Sequence, residues 1–298
     1  MTATLLDGRA TAQQIQGEIK TKVSSFVDAT GQTPTLAAVL VGEDPASAVY
    51  VRNKERACKK VGINSRLIRM DADTTTDQLV ATVMELNNDS AVSGILVQLP
   101  LPKQIDSQKV LDLIDPIKDV DAFHPTNVGL LSQGRPQFLP CTPHGVLQVL
   151  HRYDISISGK LTAIIGRSDI VGKPLAMLMG AKSSHLGPDL CNSTVTICHS
   201  RTPDLASITT QADIVVAAIG VPKFVTAEMV KDGAVVVDVG INRTDDGLCG
   251  DVDFEAVRQK ASHITPVPGG VGPLTVTMLL ENTLMAAKLQ AEAKVAVT

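Results

Sequence analysis

Tyr50 and Lys54 lie four residues apart in the segment VGEDPASAVYVRNKERACKKVG, whose pattern predicts a helix over residues 46–60. Residues four apart share one face of a helix, so an aromatic ring and an amine would face the same ligand. A tyrosine ring can stack on a flat substrate, and a lysine amine can transfer a proton. The alternative is that Lys54 is one of several solvated cations on this helix, with Arg52, Arg56, Lys59 and Lys60.

Two further polar residues follow in the first half of the chain. Gln98 lies near the end of the apolar run GILVQL (94–99), a predicted buried strand, and two prolines come shortly after it in QLPLP. Ligands of α/β folds bind outside the carboxyl ends of the strands, where this amide would be exposed. Asp121 lies in KDVDAFHP, where its carboxylate either binds a ligand or caps a turn.

The second half of the chain carries a candidate nucleotide site. The predicted strand KLTAIIG (160–166) is followed by a short loop that leads into a helix. Free backbone amides at such a helix start bind the pyrophosphate of a dinucleotide. The match to the pattern G-x-G-x-x-G is partial, because Ser168 and Val171 occupy the second and third glycine positions after Gly166. A structural turn without a ligand is the alternative.

The residues after the next strand bear on the choice of cofactor. NAD-specific folds usually end this strand with Asp or Glu, which binds the ribose 2′-hydroxyl. Here TVTIC (194–198) is followed by His199, Ser200 and Arg201, without a carboxylate. Ser200 and Arg201, together with Arg167 of the first loop, suit the 2′-phosphate of NADP. Either arginine alone could equally be a solvated loop residue, but together they favour NADP over NAD.

The segment PGGVGP (268–273) has little side-chain bulk. Its backbone can therefore approach a ligand closely and adopt dihedral angles that other residues avoid. A plain interdomain turn is the alternative. A long apolar helix follows, for which Pro273 is expected in the first turn, and this helix could return to the first domain.

These candidates depend on an alternation of strands and helices. The chain has 298 residues, which predicts about two domains. The alternation predicts an α/β fold with parallel sheets, and a composition with 44% hydrophobic but only 2% aromatic residues is typical of aliphatic cores. Residues 100–142 predict a long functional loop region, with Thr142 as the cap of the next helix. The other expected strands are 35–42, 66–70, 213–220 and 234–240.

Composition also argues against several classes of protein. Lys and Arg number 27 and Asp and Glu 31, a net charge of −4, without a block of like charges, so neither a nucleic-acid nor a membrane surface is expected. Five scattered cysteines without a C-x-x-C pair favour reduced thiols in a cytoplasmic protein over disulfides or a metal site. The start MTATLLDGRA does not match a targeting signal, and no apolar run is long enough to cross a bilayer.

Six motifs occur in a fixed order: Y-V-x-x-K (50–54), V-Q-L-P-L-P (97–102), K-D-V-D (118–121), G-R-S-x-x-V-G-x-P (166–174), D-V-G-I-N (238–242) and P-G-G-V-G-P (268–273). From about residue 3 to 288, the chain resembles the bifunctional methylenetetrahydrofolate dehydrogenase/methenyltetrahydrofolate cyclohydrolases. The resemblance implies NADP-dependent oxidation of 5,10-methylenetetrahydrofolate, then hydrolysis of the methenyl product to 10-formyltetrahydrofolate. It also implies a folate domain (1–147 plus 274–298), a Rossmann-type NADP domain (148–273), a cleft between them and a homodimer.

The resemblance assigns roles to individual residues. It makes Lys54 the catalytic lysine, Tyr50 the ring that stacks on folate, Gln98 the residue that tunes the lysine and Asp121 the pterin-binding carboxylate. The substrate-binding set it implies is Tyr50, Lys54, Val97, Gln98, Leu99, Asp121, Pro268, Gly269 and Gly270. The cofactor-binding set, with Arg201 added from the argument above, is Gly166, Arg167, Ser168, Ser200, Arg201 and Ile241.

The chain departs from the family pattern at three places: Ala122 and Leu274 stand where Gly and Met are usual, and the segment 183–192 is longer than in compact bacterial members. None of these removes a catalytic group. Two other functions stay open. The first is a dehydrogenase that lacks the hydrolase activity or that acts on another small substrate, as shikimate dehydrogenase does. The second is a module that senses a nucleotide and catalyses no reaction. A pure sensor would have no need of Lys54, Gln98 and Asp121.

Overall fold

The structure, a computed structural model, describes residues 2–245 and 247–297. Helices and parallel strands alternate along most of the chain. The helices are α1 (Gly8–Thr30), α2 (Pro45–Val61), α3 (Thr76–Asn88), α4 (Ser107–Leu111), α5 (Pro125–Ser132), α6 (Cys141–Arg152), α7 (Gly172–Met179), α8 (Leu205–Thr209), α9 (Phe254–Arg258) and α10 (Val271–Val297). The strands are β1 (Thr4–Leu5), β2 (Thr35–Val41), β3 (Asn64–Met70), β4 (Gly94–Val97), β5 (Leu161–Ile165), β6 (Thr194–Cys198), β7 (Ile214–Ala217), β8 (Val235–Asp238), β9 (Asn242–Thr244), β10 (Gly247–Cys249) and β11 (His263–Ile264).

The first sheet has three parallel strands in the order β3-β2-β4. The chain passes from β2 to β3 on one side and then crosses to β4 on the other, so the strand order reverses between β2 and β4. Such a switch point is where α/β sheets bind ligands, outside the carboxyl ends of the strands. The sheet and helix α3 bury a common aliphatic core that includes Val39, Leu79 and Ile95.

Helix α2 has well-defined ends. At its start, the Asp44 carboxylate accepts a hydrogen bond from Ser47 N at 2.7 Å, and Pro45 occupies the first turn, where no backbone donor is needed. At its end, Gly62 adopts the left-handed conformation with φ 86°, which only glycine takes without strain. The helix expected over 46–60 is therefore confirmed, and its length sets where Tyr50 and Lys54 lie.

The second sheet has six strands, all parallel, in the order β1-β11-β8-β7-β5-β6. Its strand order reverses between β5 and β7. Strands β5, β7 and β8 are almost wholly buried, which explains why most of their residues are Val, Ile and Ala. This doubly wound arrangement confirms the predicted α/β fold class with a Rossmann-type sheet.

Contacts divide the chain into two compact units. One contains the six-stranded sheet and consists of the described parts of 1–13, 131–135 and 140–275. The other contains the three-stranded sheet and consists of 14–130, 136–139 and the described residues from 276 onward. The sequence placed the first residues in the folate domain, whereas Thr4 pairs with His263 in the six-stranded sheet. A strand of two residues is too short to show a periodicity, so the sequence could not predict which sheet it joins. The boundaries 1–147, 274–298 and 148–273 stay predictions.

Two local expectations were wrong. Helix α6 begins at Cys141 after Pro140, without a side-chain cap, and the Thr142 hydroxyl is instead hydrogen-bonded to the Thr275 hydroxyl at 3.0 Å. The region 100–142 is not only loop, because it contains the short helices α4 and α5. Helices α4 and α5 are too short to show a clear helical periodicity of apolar residues in the sequence.

The long segment 183–192 is anchored to its own unit. The Asp189 carboxylate accepts a hydrogen bond from the Ser156 hydroxyl at 2.8 Å, and the Asp189 carbonyl accepts one from Ile157 N at 2.7 Å. The His185 ring packs edge-on against the buried His144 ring of α6, with 5.0 Å between ring centroids.

No helix within residues 2–245 and 247–297 has both the length and the apolar character to span a membrane.

Candidate functional site

Lys54 and Gln98 are brought together in the unit with the three-stranded sheet. Helix α2 presents the half-buried Lys54 side chain, and Gln98 follows β4 directly. Lys54 Nζ donates a hydrogen bond to Gln98 Oε1 at 3.0 Å. The lysine is therefore held at the carboxyl end of the sheet and is not one of the solvated cations of its helix.

The orientation of the Gln98 amide follows from its second hydrogen bond. Gln98 Nε2 donates to the carbonyl oxygen of Leu99 at 2.6 Å, and only the amide nitrogen can donate to a carbonyl. Gln98 Oε1 must then face Lys54. The backbone of Gln98 is also fixed, because its N–H donates to Val39 O of the neighbouring strand at 2.9 Å. The pair is a preorganised donor and acceptor.

The two residues one turn before and one turn after Lys54 on α2 differ in their exposure to a ligand. Tyr50, one turn earlier, is 38% exposed, so its ring is available to a ligand. Cys58, one turn later, is fully buried. Burial raises the pKa of the Cys58 thiol to about 12, so it is not a nucleophile at neutral pH.

The K-D-V-D motif is largely structural. Lys118 is buried, and its amine donates to the carbonyl oxygens of Leu86, Asn87 and Asp89 at 2.8–3.0 Å, which caps the end of α3. Burial lowers the pKa of Lys118. Asp119 is also buried, which raises the pKa of its carboxyl group. These two residues of the motif thus build the turn rather than act on a ligand.

Asp121 is positioned by the same turn. The Asp119 carboxylate accepts hydrogen bonds from His124 N and Asn127 Nδ2, both at 2.8 Å. A parallel bridge between Ile95 and Asp119 aligns this segment with β4, so the half-buried Asp121 follows toward the edge where Gln98 lies. The His124 ring nitrogen Nδ1 accepts a hydrogen bond from Thr126 N at 3.0 Å, a structural contact within the same turn.

The two single-residue departures from the family pattern have structural settings. Ala122 is buried and has φ 61°, a left-handed conformation that glycine adopts more easily. Leu274 is fully buried against Gly145 of α6, where an added Cβ would lie 2.9 Å from the Leu274 Cβ. The leucine therefore fills space beside a helix that has no room for a side chain at that point.

The predicted dinucleotide loop is a tight turn at the switch point of the six-stranded sheet. Gly166, directly after β5, has φ 128°, and a Cβ there would run into the carbonyl of Ala218, which follows β7. A Cβ on Gly172, the first residue of α7, would run into the carbonyl of Gly166. Both glycines are needed for the strand, loop and helix to approach this closely.

Ser168 organises the start of α7. Its hydroxyl oxygen accepts hydrogen bonds from Val171 N at 3.2 Å and Gly172 N at 3.4 Å. Arg167 and Ser168 are both exposed. The loop therefore presents a hydroxyl and a guanidinium at the start of an eight-residue helix, where an anion is favoured.

Ser200 and Arg201 follow the strand next to this loop. Strands β5 and β6 are parallel, and Gly166 N donates to Cys198 O at 2.9 Å, so both chain segments leave the sheet at one edge. His199 closes the turn, with its ring nitrogen Nδ1 accepting a hydrogen bond from Arg201 N at 3.1 Å. Ser200 and Arg201 are exposed. Across the described part of the chain, neither Arg167 nor Arg201 forms an ion pair.

Ile241 and the glycine-rich segment lie together in the same unit. Ile241 follows β8 and is 44% exposed. A Cβ on Gly272 would lie 3.2 Å from the Ile241 side chain, so the segment 268–273 passes close to it. Gly269 has φ 112°, and its carbonyl accepts a hydrogen bond from Arg9 N at 2.9 Å. Pro268, Gly269 and Gly270 thus belong by contact to the unit with the six-stranded sheet.

These features fit a dinucleotide. The turn at Gly166 leaves no space for side chains beside the start of α7, the exposed guanidinium groups have no carboxylate partners among the described residues, and no acidic residue ends β6. Within residues 2–245 and 247–297, no three or more His, Cys, Asp or Glu side chains are grouped to hold a metal ion.

Two buried carboxylates of this unit, Asp238 and Asp251, are not among the predicted site residues. Asp238 lies within the motif D-V-G-I-N, whereas Asp251 lies outside the six motifs. One glycine lies two residues after Asp238 and another directly before Asp251, but no local sequence pattern indicates that each glycine packs against the other carboxylate.

A lysine–glutamine pair at one switch point and a dinucleotide loop at the other define a nicotinamide-dependent α/β enzyme with two units. Comparison with known families agrees: the chain matches the model described as tetrahydrofolate dehydrogenase/cyclohydrolase, catalytic domain, over residues 6–121. It matches the NAD(P)-binding domain of the same family over residues 140–291. The chain belongs to the tetrahydrofolate dehydrogenase/cyclohydrolase family.

Individual relatives cover nearly the whole chain. It is 63% identical over 297 residues to the bifunctional protein FolD of Rhodopirellula baltica, covering 98% of this chain and 99% of that protein. The structure of the bifunctional enzyme FolD of Campylobacter jejuni superposes with a TM-score of 0.90 at 47% identity, covering 96% and 99% of the two chains. The Trypanosoma brucei enzyme, complexed with NADP cofactor and inhibitor, has a TM-score of 0.90 at 39% identity, covering 98% and 99%. The predicted family, fold class and enzyme class are confirmed.

Proposed function

We propose that this enzyme oxidises 5,10-methylenetetrahydrofolate to 5,10-methenyltetrahydrofolate with NADP and then hydrolyses the product to 10-formyltetrahydrofolate. The observation that carries the proposal is the hydrogen bond between Lys54 Nζ and Gln98 Oε1 in a chain of this family. A dehydrogenase alone needs no proton-transfer group here, because loss of hydride leaves a cation that is shared by the two nitrogens. A positioned amine is what the hydrolysis requires.

In the oxidation step, the protein acts by positioning. Bound NADP would supply the acceptor for the hydride that leaves the methylene carbon. Tyr50, exposed one turn before Lys54, offers its ring face to the flat part of folate. Asp121 would accept hydrogen bonds from the N–H groups of the pterin, and a charged acceptor makes such bonds short and directional.

In the hydrolysis step, water adds to the methenyl carbon, and the added water loses a proton. The hydroxyl on that carbon then loses its proton to solvent as the carbonyl forms, the bond from the carbon to N5 breaks and N5 gains a proton. This leaves the formyl group on N10 and releases one proton overall. Lys54 would take the proton of the added water and deliver the proton to N5. Gln98 would hold the amine at a fixed place during both transfers, because its own amide is locked by Leu99 O.

The choice of NADP over NAD is supported by the residues at the carboxyl edge of β5 and β6. Arg167, Ser200 and Arg201 are exposed there, and a guanidinium binds a phosphate through two parallel hydrogen bonds. Gly166, Ser168 and Ile241 complete the proposed cofactor contacts. Val97, Leu99 and the segment Pro268–Gly270 complete the proposed substrate contacts.

Assembly and location belong to the same proposal. We infer a homodimer joined through the nucleotide domains, which the half-exposed edge strand β6, with Ile197 36% exposed, supports. A cytoplasmic location is supported by the scattered cysteines of the chain, four of which are buried. Light scattering at several protein concentrations tests the dimer, and a monomeric mass throughout would contradict it.

Two assays on the purified protein test the proposed function. With methylenetetrahydrofolate and NADP, methenyl absorbance must rise, and the rise must be faster with NADP than with NAD. Added methenyltetrahydrofolate must decay faster than it does without enzyme. Oxidation without hydrolysis would reduce the protein to a dehydrogenase, and NADP binding without either reaction would make it a nucleotide sensor.

A further inference from the structure

Asp238 and Asp251 are buried carboxylates in the unit with the six-stranded sheet, 3% and 0% exposed. Asp238 ends β8, and Asp251 follows strand β10. An unpaired buried carboxylate is strongly destabilising, so its hydrogen bonds show what it is there to hold. Neither residue is among the proposed contacts to folate or NADP.

Asp238 holds two parts of the chain that are separate in sequence. Its Oδ1 accepts hydrogen bonds from Gly240 N at 2.9 Å and Asp251 N at 3.0 Å, and its Oδ2 accepts one from Val252 N at 2.9 Å. The segment after β8 is thereby tied to residues 251–252.

Asp251 extends this connection to the next strand of the sheet. Its Oδ2 accepts hydrogen bonds from Ile219 N at 2.7 Å and Gly220 N at 2.9 Å, in the segment that follows β7. Its Oδ1 accepts one from Asn242 Nδ2 at 2.8 Å. One carboxylate therefore joins the chain after β7 to the chain after β8.

Two glycines make the arrangement close. A Cβ on Gly240 would occupy the space of the Asp251 carboxylate, and a Cβ on Gly250 would occupy that of Asp238. Each carboxylate thus packs against the backbone of the glycine that neighbours the other. A side chain at either glycine would separate the two segments.

The residue held between these bonds is Ile241. Its neighbour Gly240 is bound by Asp238, and its other neighbour Asn242 is bound by Asp251. Ile241 itself is 44% exposed at the carboxyl edge of the sheet, where dinucleotides bind.

We propose that Asp251 is a positioning residue for NADP: it fixes the segments 219–220 and 240–242 and thereby the surface that Ile241 presents to the cofactor. The inference rests on the proposed placement of NADP along Gly166–Ser168 and Ile241. Asp251 does not touch the cofactor and acts only through the backbone and the Asn242 side chain.

The test compares three variants. In Asp251→Ala, the amides of Ile219 and Gly220 lose their acceptor, and we expect the dissociation constant for NADP to rise at least about tenfold. In Asp251→Asn, one oxygen still accepts from both amides and the Asn242 amide can rotate to match, so most of the affinity should return. Asn242→Ala removes a single bond from a half-buried side chain, and we expect a rise of about threefold to tenfold.

Asp213→Asn is the matched control. Its carboxylate also accepts a backbone hydrogen bond, from Leu161 N at 3.0 Å, and one from Lys231 at 2.7 Å, but it precedes β7 at the opposite end of the strands. NADP affinity should not change in this variant. NADP titration, the kcat and KM of the dehydrogenase and hydrolysis of methenyltetrahydrofolate without nucleotide are measured for all variants.

A positioning role predicts a higher KM for NADP with hydrolysis largely kept. Wild-type NADP affinity in both Asp251→Ala and Asn242→Ala would overturn the inference, and so would an equal loss of binding and hydrolysis in Asn242→Ala. If Asp251→Ala does not fold, the NADP affinities of Asn242→Ala and Asp251→Asn decide whether Asp251 positions the cofactor. Arg167→Ala serves as the reference: if it also binds NADP normally, the proposed cofactor placement fails as well.

Discussion

The Lys54 amine donates to Oε1 of Gln98 at 3.0 Å, which joins helix α2 to the end of strand β4. The glutamine cannot turn its nitrogen toward the lysine without losing its bond to Leu99 O. The pair is therefore set before a substrate arrives, and a preorganised group loses less free energy in reaching the reactive geometry.

Lys54→Met is expected to abolish hydrolysis of methenyltetrahydrofolate. The loss of a general acid/base lowers rates by about 10²–10⁴-fold, whereas a methionine of similar length keeps the packing on α2. The protein should stay folded and bind NADP with its normal affinity. Lys59→Met, an exposed lysine on the same helix, is the control and should keep both activities. Unchanged hydrolysis in Lys54→Met would remove Lys54 from the mechanism.

Gln98→Glu tests how the lysine is tuned. A carboxylate at this position would hold the ammonium form of Lys54 by an ion pair, so the amine would give up its proton only at higher pH. We expect hydrolysis at neutral pH to slow by about tenfold, since an ion pair that stabilises the ammonium form by about 1.4 kcal/mol lowers the fraction of free amine by that factor. The pH–rate profile should be displaced to higher pH. A profile that coincides with that of the wild type would show that Gln98 does not act through the amine.

Arg167 and Arg201 replaced together by Gln should abolish the preference for NADP over NAD. Each charge-assisted hydrogen bond to a phosphate contributes about 1.5–3 kcal/mol, so the affinity for NADP should fall at least about tenfold while that for NAD changes little. Titrations with both nucleotides measure this. If the preference survives, other residues bind the 2′-phosphate.

The parts of the fold that the sequence predicted are those with local patterns. TVTIC was predicted as a strand over 194–198, and β6 has those bounds, because β-branched residues fill a short run between turn residues. The helix predicted over 46–60 is α2, which ends at Gly62 because glycine alone takes the left-handed conformation freely. Features of this kind depend on neighbours in the chain.

The features that escaped prediction depend on residues far apart in sequence. Asp251 is buried because Ile219, Gly220 and Asn242 offer it donors, and nothing next to Asp251 in the sequence indicates this. Lys118 looked like part of a ligand-binding motif, yet it caps α3. Of the candidate site, the partnership of Lys54 and Gln98 is now observed, whereas the individual substrate and cofactor contacts stay predictions.

Stability should depend on pH through Asp238. Burial raises the pKa of Asp238 from 3.8 to about 6, against the lowering effect of its backbone hydrogen bonds. The folded state then holds this proton more tightly than the unfolded chain, so the carboxyl group's contribution to stability falls as pH rises from about 4 to about 6. The change is about 3 kcal/mol. Denaturant unfolding should show that Asp238→Asn lowers the free energy of unfolding, relative to the wild type, by more at pH 4.5 than at pH 7. A loss of free energy that grows with pH would contradict this.

Two glycine replacements should act in opposite directions. A Cβ on Gly94 would overlap the fully buried Val120 side chain beside Asp121, so Gly94→Ala should lower the free energy of unfolding by about 1–3 kcal/mol and raise the KM for folate. Gly17 is exposed within α1, with no atoms near its Cβ position. Gly17→Ala should stabilise by about 1 kcal/mol. Thermal unfolding measures the stability of both variants, and folate titration measures substrate binding. A Gly94→Ala variant that is more stable than the wild type would contradict the predicted overlap with Val120.

The pairing of Thr4 and Leu5 with His263 and Ile264 has a consequence for biosynthesis. Strand β1 is made before the other strands of its sheet but has no partner until β11 has been made, so the six-stranded sheet is completed late. Until then, or in a chain shortened at its start, β11 has an open edge whose backbone can recruit strands from other molecules.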